Sequence, residues 1–401
     1  VELALAHADA RRNDPEAVSV AHSCIFEALK PVIRGGDQPT DPRQAASADR
    51  AARSKEAAVQ MAMSSKDPVF LKTLYRELIA LGSSGTEELM KQSSPSIEAF
   101  FRETNPQQEA QYFSRHGNFA EAAEVWMKLA DDPASCDRLT DRVTFVSTAL
   151  HNAKAAESAG DTRVLHRLRD ISERLDVARV QLRIKDELTR YHDEDEGAQT
   201  AARNAAKELE SSLMDLSQLY NQYARPWELW ESELDVLRCA DHRDDLLVRK
   251  LWTSIVEKEI ARSGGSASPE VGLVTKIQLL GQDFYPSSVV FPVPWILDLL
   301  ERHRYNSSSG HPSGPSWVQK LFVSLGVSRG ELAEVYLALL ENREALVDED
   351  GTAWADERHQ RFLIGAIEEL AKSWAESARR PSEREAREVR AGRGTVLRAL
   401  A

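Results

Sequence analysis

Leu168-Arg169-Asp170-Ile171-Ser172-Glu173-Arg174-Leu175-Asp176-Val177-Ala178-Arg179-Val180-Gln181-Leu182 sets its apolar residues 168, 171, 175, 178 and 182 at alternating steps of three and four. With about 3.6 residues per turn, that set holds one face and the charges hold the other, so the stretch reads as an amphipathic helix. Trp227, Trp230, Leu234 and Leu237 repeat the device. No sustained two-residue alternation bounded by turn pairs is present, and only Ser288-Val289-Val290-Phe291 has the character of a short strand. The fold class is all-α.

Helix starts are marked by a capping side chain directly before proline at Asp14-Pro15, Asp67-Pro68, Ser94-Pro95 and Ser268-Pro269. The cap oxygen accepts an orphan amide, and proline at the first helical position sacrifices no bond. Asn118 with Glu121, and Ser328 with Glu331, have the spacing of a capping box. Gly82, Gly117, Gly160 and Gly326 follow apolar-periodic stretches and read as helix ends, as do the glycines at 82 to 85 and 264 to 265. The bracketed segments number about 17 to 19 helices with short links, which suits antiparallel neighbours stacked in series: an irregular α-helical solenoid. Gly117 to Ala130 is similar to one helix of a tetratricopeptide hairpin, with alanines for close approach and Trp126 filling the gap, but no 34-residue period recurs.

The expected organisation is one elongated stack over residues 1–401, with sub-blocks 1–160, 161–301 and 302–401 and surface loops at 35–49, 192–197 and 305–315. Val1 to His7 already has a helical pattern with no cap before it, which points to a piece of a longer chain. With 42% hydrophobic and 29% charged side chains, the chain has apolar material for a large interior and a well-hydrated surface. A net charge of -13 disfavours nucleic-acid backbones and anionic lipid as partners. No apolar run approaches the roughly 18 residues of a membrane span. Arg379 to Arg398 stands apart, with seven arginines and three glutamates, as a solvated helix face or a docking surface for an acidic partner.

Chemistry is conspicuously thin. Cys24, Cys136 and Cys239 are far apart, lack CxxC spacing and lie in helical patterns, so they read as small buried thiols. His192 to Glu196 and His242 to Asp245 are dense in metal-binding residue types, yet consecutive helical positions share no face and no set at i+4 completes a shell. Asp131-Asp132-Pro133 reads as a helix end, since proline breaks the helix and no later carboxylate pair answers it. The phosphate-loop, dinucleotide, zinc-protease and serine-hydrolase motifs are missing. No catalytic, cofactor-binding or metal-binding residues and no small-molecule substrate are expected. The candidate residues are aromatic and partner-binding. Tyr220, Tyr223, Trp227 and Trp230 gather across a helix junction at Arg225-Pro226, and Phe284, Tyr285, Phe291 and Trp295 lie among prolines that favour an extended segment.

Several segments together resemble the C-terminal α-solenoid of the large inner-ring scaffold nucleoporin family, whose members carry an N-terminal β-propeller before a long helical stack. The carrying residues are Ser94 to Phe101, Asp176 to Ile184, Glu208 to Asp245, Leu251 to Glu259, Phe291 to Glu301, and Leu325 to Val327 running into Leu332 to Tyr336. The propeller has no counterpart in this sequence. The resemblance implies a non-enzymatic scaffold at the nuclear pore complex of the nuclear envelope, supporting transport of protein and mRNA. It also implies partners: short segments of flexible FG-repeat linker nucleoporins and other inner-ring nucleoporins, with membrane association only indirect. Two rival readings remain at this point, a vesicle-coat or tethering solenoid and an all-α enzyme with a pocket between helices.

Overall fold

The computed structural model describes residues 1–10, 15–34, 53, 56–192, 195–263, 269–307, 316–341 and 357–378, and every regular element among them is helical. The chain gathers into two compact units, Val1–Leu175 with Glu210–Leu213, and Asp176–Leu209 with Met214–Ala401.

The first unit contains α1 (Glu2–Ala10), α2 (Pro15–Arg34), α3 (56–63), α4 (Pro68–Ala80), α5 (Ser83–Lys91), α6 (Pro95–Thr104), α7 (Pro106–Arg115), α8 (Phe119–Asp131), α9 (Leu139–Ser158) and the start of α10 (Leu165–Thr189). Chain neighbours pack on one another: α1 on α2, α4 on α5, α6 on α7, α7 on α8, and α8 on α9. One core is an aromatic ladder, with Tyr75 edge-on to Phe100 at 5.3 Å and Phe101 against Tyr112 at 5.8 Å. A second centres on Trp126 and Phe145, 5.3 Å apart, with Ile171 and Leu175 of α10 completing it.

Caps behave as their stereochemistry demands at Asp67, Ser94 and Ser328, each accepting an amide of the following turn. Asp14 and Ser268 lie outside the described residues. Asn105 before Pro106 is a further cap of the same kind, its side chain accepting from the Gln108 amide. The expected box at Asn118 does not form: its backbone is the cap, but its side chain accepts no bond. Gly82, Gly117, Gly160 and Gly326 all take positive φ at helix ends. Gly85 is no terminator. It is buried inside α5, where a Cβ would overlap the carbonyl of Leu78, so its missing side chain lets α5 lie on the end of α4.

The turn between α8 and α9 has an organiser of its own. Arg142 is 1% exposed, and its guanidinium donates to the carbonyls of Ala130 and Asp132 at 2.9 Å, Pro133 at 3.3 Å and Cys136 at 2.7 Å. A cation here also faces the negative end of the α8 dipole. Asp131 is the last residue of α8 and pairs with Arg174, in keeping with a helix end.

The second unit continues α10 and adds α11 (Glu196–Glu208), α12 (Leu216–Gln218), which runs into a π-helical turn at Leu219–Ala224, α13 (Trp230–Cys239), α14 (Asp245–Ser263), α15 (Pro269–Phe284), α16 (Val293–Ser307), α17 (Trp317–Leu325), α18 (Arg329–Leu340) and α19 (Glu357–Ala378). Its larger core runs from Leu234 to Leu370 and includes Trp252, Phe291, Phe322, Tyr336 and Phe362. Along α10 the buried line moves: Ile171, Leu175 and Ala178 are buried, Leu182 is only half-buried, and Val180, Ile184 and Leu188 take over the interior. Gln181 staples a connection, its amide donating to the Leu209 carbonyl at 2.7 Å and its oxygen accepting from the Met214 amide at 2.9 Å.

Some expectations are corrected. Ser288 to Phe291 is a turn, closed by the Phe291 amide donating to the Ser287 carbonyl at 2.9 Å. Cys24 is exposed, and Cys136 and Cys239 are half-buried, Cys136 lying in the α8–α9 turn rather than in a helix. Asp195 caps α11 and Glu196 opens it, while Tyr305 to Ser307 close α16, so neither stretch is wholly loop. The loop at 35–49, the glycines at 264–265, residues 308–315 and the basic stretch 379–398 lie outside the described residues.

Candidate partner-binding surface

The first aromatic group is built on an irregular helix junction. Asp215 and Gln218 cap α12 reciprocally, at 2.8 and 3.2 Å. The turn then widens to a π-helix, with the Arg225 amide bonding the Tyr220 carbonyl at 3.0 Å, and Glu228 is held at φ 52°. Such widened turns re-aim side chains that a regular helix would stack on one face. Tyr223 turns inward, 5% exposed, its hydroxyl donating to Glu208 at 3.3 Å. Burial raises its pKa first, with Glu208 adding to the rise.

Tyr220, Trp227 and Trp230 remain half-buried. Tyr220 shares a hydrogen bond with buried Glu233, whose carboxyl burial also pushes upward. Trp227 meets Tyr191 edge-on at 5.4 Å, and the Lys258 ammonium of α14 sits 5.0 Å above the Trp230 ring.

The second group divides in the same way. Phe284 ends α15 and Phe291 follows the turn, and both are 2% exposed. Phe291 packs on Trp252 at 5.4 Å and on Phe322 at 6.3 Å, and the Trp252 indole donates to the Val290 carbonyl at 2.7 Å. These two phenylalanines are core. Tyr285 and Trp295 are half-buried, Trp295 in the first turn of α16 with the Arg249 guanidinium 4.8 Å from its ring. The extended aromatic edge expected here is therefore a turn followed by a helix, because the prolines sit at a helix start that tolerates them.

α14 joins the two groups by supplying Lys258 to one indole and Arg249 to the other. Neither cation was anticipated, although a Lys or Arg on an amphipathic helix beside a half-buried Trp is a legible signal. Leu246 on α14 and Val271 and Leu279 on α15 add exposed apolar area in this unit.

Described members of the polar clusters have local partners. Asp244 accepts from the Leu247 amide at 3.0 Å and so caps α14, and the His192 ring bonds Gln199 at 3.1 Å. No group of three metal-ligating side chains occurs among the described residues. Glu301 is fully buried and its pKa is raised, burial being the main cause, but Tyr336 at 2.5 Å, Ser316 at 3.2 Å and Arg304 at 3.4 Å enclose it. That network ties α16 to α17 and α18. No described helix is long and apolar enough to cross a membrane.

Residues 2–398 match the family described as non-repetitive/WGA-negative nucleoporin C-terminal. The nuclear pore complex protein Nup154 of Drosophila melanogaster is 27% identical over 325 residues, covering 78% of this chain and 22% of that protein. The probable nucleoporin C890.06 of Schizosaccharomyces pombe is 25% identical over 386 residues, covering 92% and 27%. The chain thus spans about a quarter of the length of these curated relatives. Among solved structures, the Chaetomium thermophilum Nup170 CTD–Nup145N complex aligns with a TM-score of 0.72 at 19% identity, covering 97% of this chain and 80% of that one. A Nup170 CTD mutant of the same organism gives 0.69 at 20% identity, covering 94% and 73%. These neighbours carry the same helical solenoid fold. The relatives are nuclear pore scaffold proteins rather than enzymes, which places the chain at the nuclear pore complex. The chain belongs to the non-repetitive/WGA-negative nucleoporin C-terminal family, as an all-α, non-enzymatic scaffold segment.

Proposed function

We propose that this chain is part of the inner-ring scaffold of the nuclear pore and that its second unit seats short segments of FG-repeat linker nucleoporins. Other inner-ring nucleoporins would be its further neighbours, and pore assembly and transport of protein and mRNA would depend on it. The observation that carries the reading is the pair of half-buried indoles, Trp230 and Trp295, each with a cation from α14 on its face. An indole that is half wet already has its orientation fixed by packing, so a bound side chain gains apolar contact at little further ordering cost. A disordered linker brings a few apolar anchors and is ordered only on binding. The structural neighbour solved as a Nup170 CTD–Nup145N complex supports the reading, since that helical stack holds another nucleoporin.

Calorimetric titration of the purified chain with peptides from disordered pore linkers tests it. The expected result is binding that weakens at least about tenfold, or about 1.4 kcal/mol, in Trp230→Ala with Trp295→Ala, at unchanged helicity. Absence of heat with every linker peptide removes the anchoring role. Unchanged affinity in the double variant moves the seat elsewhere.

A further inference from the structure

Where α10, α13 and α15 meet, a half-buried carboxyl has more acidic company than its cations can neutralise. Glu187 of α10 accepts a 2.9 Å hydrogen bond from the hydroxyl of Ser232 of α13, whose residue is fully buried. Glu231, the residue before Ser232, faces the same carboxyl. Both cations in range are shared. Lys276 of α15 is ion-paired with Glu231, and Arg183, one turn before Glu187, binds Asp235 of α13 at 3.5 Å and Asp283 of α15 at 2.5 Å. Asp235 is held in turn by Arg238 at 2.7 Å. Glu187 is thus left as the acid with the least countercharge in a partly desolvated junction.

We propose that this three-helix junction is a proton-operated clasp, in which protonated Glu187 holds α10 against the first turn of α13 and ionised Glu187 loosens it. Burial first, and Glu231 second, push this carboxyl up to about 7, against the smaller opposing pulls of Ser232, Arg183 and Lys276. A carboxyl whose folded value exceeds its unfolded value binds more protons folded than unfolded, so stability falls as pH rises between the two. Here the window opens near the ordinary value of 4.5 and closes just above 7, and the charged form is the unfavourable one throughout. Trp230 directly precedes Glu231. The same proton therefore sets how firmly one edge of the aromatic surface is held, and this last consequence alone rests on the binding reading.

Hydrogen exchange of the α13 amides, measured by mass spectrometry on the full chain without any partner and corrected for intrinsic rates, tests the clasp. Raising the pH from 6 to 8 should lower protection about tenfold, as follows from a carboxyl at about 7 folded and 4.5 unfolded. Glu187→Gln should flatten that dependence. Glu231→Gln, which leaves Glu187 in place and removes the like charge, should shift it to lower pH. Protection that is flat in the parent chain, or a pH dependence that survives in Glu187→Gln, overturns the proposal. Should Glu187→Gln fail to fold, Glu231→Gln decides, because an unshifted dependence there overturns it equally. None of these readouts involves a linker peptide, so failure here is distinct from failure of the binding reading.

Discussion

Replacing Arg142 with methionine would keep a long apolar stem in the α8–α9 turn and remove all of its donors. The guanidinium serves four carbonyls, those of Ala130, Asp132, Pro133 and Cys136. Only the bond to Ala130 is fully buried, and an interior acceptor left unpaired costs about 1–3 kcal/mol. The other three lie where water can replace the donor, so each bond lost there is worth a net of about 1 kcal/mol. Relief from burying a cation without a carboxylate partner offsets part of the total, leaving an expected loss of about 3 kcal/mol. Hydrogen exchange of the α8 and α9 amides is the suitable assay, because unfolding of a chain with two compact units need not be two-state. Their exchange should accelerate about a hundredfold, while the α14 to α18 amides should be unaffected. Arg142→Lys keeps the charge but not the planar fork and should recover about half of the lost free energy. Acceleration below about fivefold in Arg142→Met, under 1 kcal/mol, would refute the assignment of Arg142 as organiser of the turn.

Gly85→Ala should destabilise the first unit by about 3 kcal/mol, since the new methyl meets backbone and not a movable side chain, and thermal denaturation would show it. Trp252→Phe keeps the ring packing on Phe291 but orphans the buried Val290 carbonyl, so a loss of about 2 kcal/mol in urea denaturation of the second unit is expected. Burial pushes the Cys239 thiol up to about 11, leaving on the order of one thiolate in a thousand at pH 8. Alkylation followed by mass spectrometry should therefore label exposed Cys24 well before Cys239 at that pH, with Cys239 labelling rising steeply toward pH 11.

Legibility differed by the kind of physics involved. Asp67-Pro68 and Ser94-Pro95 could be read as helix starts because a cap and a proline act through their own stereochemistry, whatever packs on them. Gly85 was misread as a terminator because its role depends on how closely α5 lies on α4, a distance that no local pattern encodes. The π turn at Leu219–Ala224 carries helix-compatible residues and so looked like any helix. Arg142 was invisible for a different reason: its acceptors are main-chain carbonyls, which every residue supplies alike. The aromatic clusters were legible in the sequence, but the burial of each ring was not. Periodicity cannot separate Phe284 and Phe291, which fill the core, from Trp230 and Trp295, which stay at its edge.

The four acceptors of Arg142 all precede it, by 12, 10, 9 and 6 residues. A chain made from its N-terminus has therefore already delivered everything this arginine needs by the time it leaves the ribosome. The turn can form as the rest of α9 follows, before Ile171 and Leu175 of α10 arrive to complete the core around Trp126 and Phe145. Because α7, α8 and α9 also pack on their immediate chain neighbours, the first unit can be built in the order in which it is translated. For a scaffold protein this is a route to assembly in which each finished hairpin shelters the apolar face of the one before it.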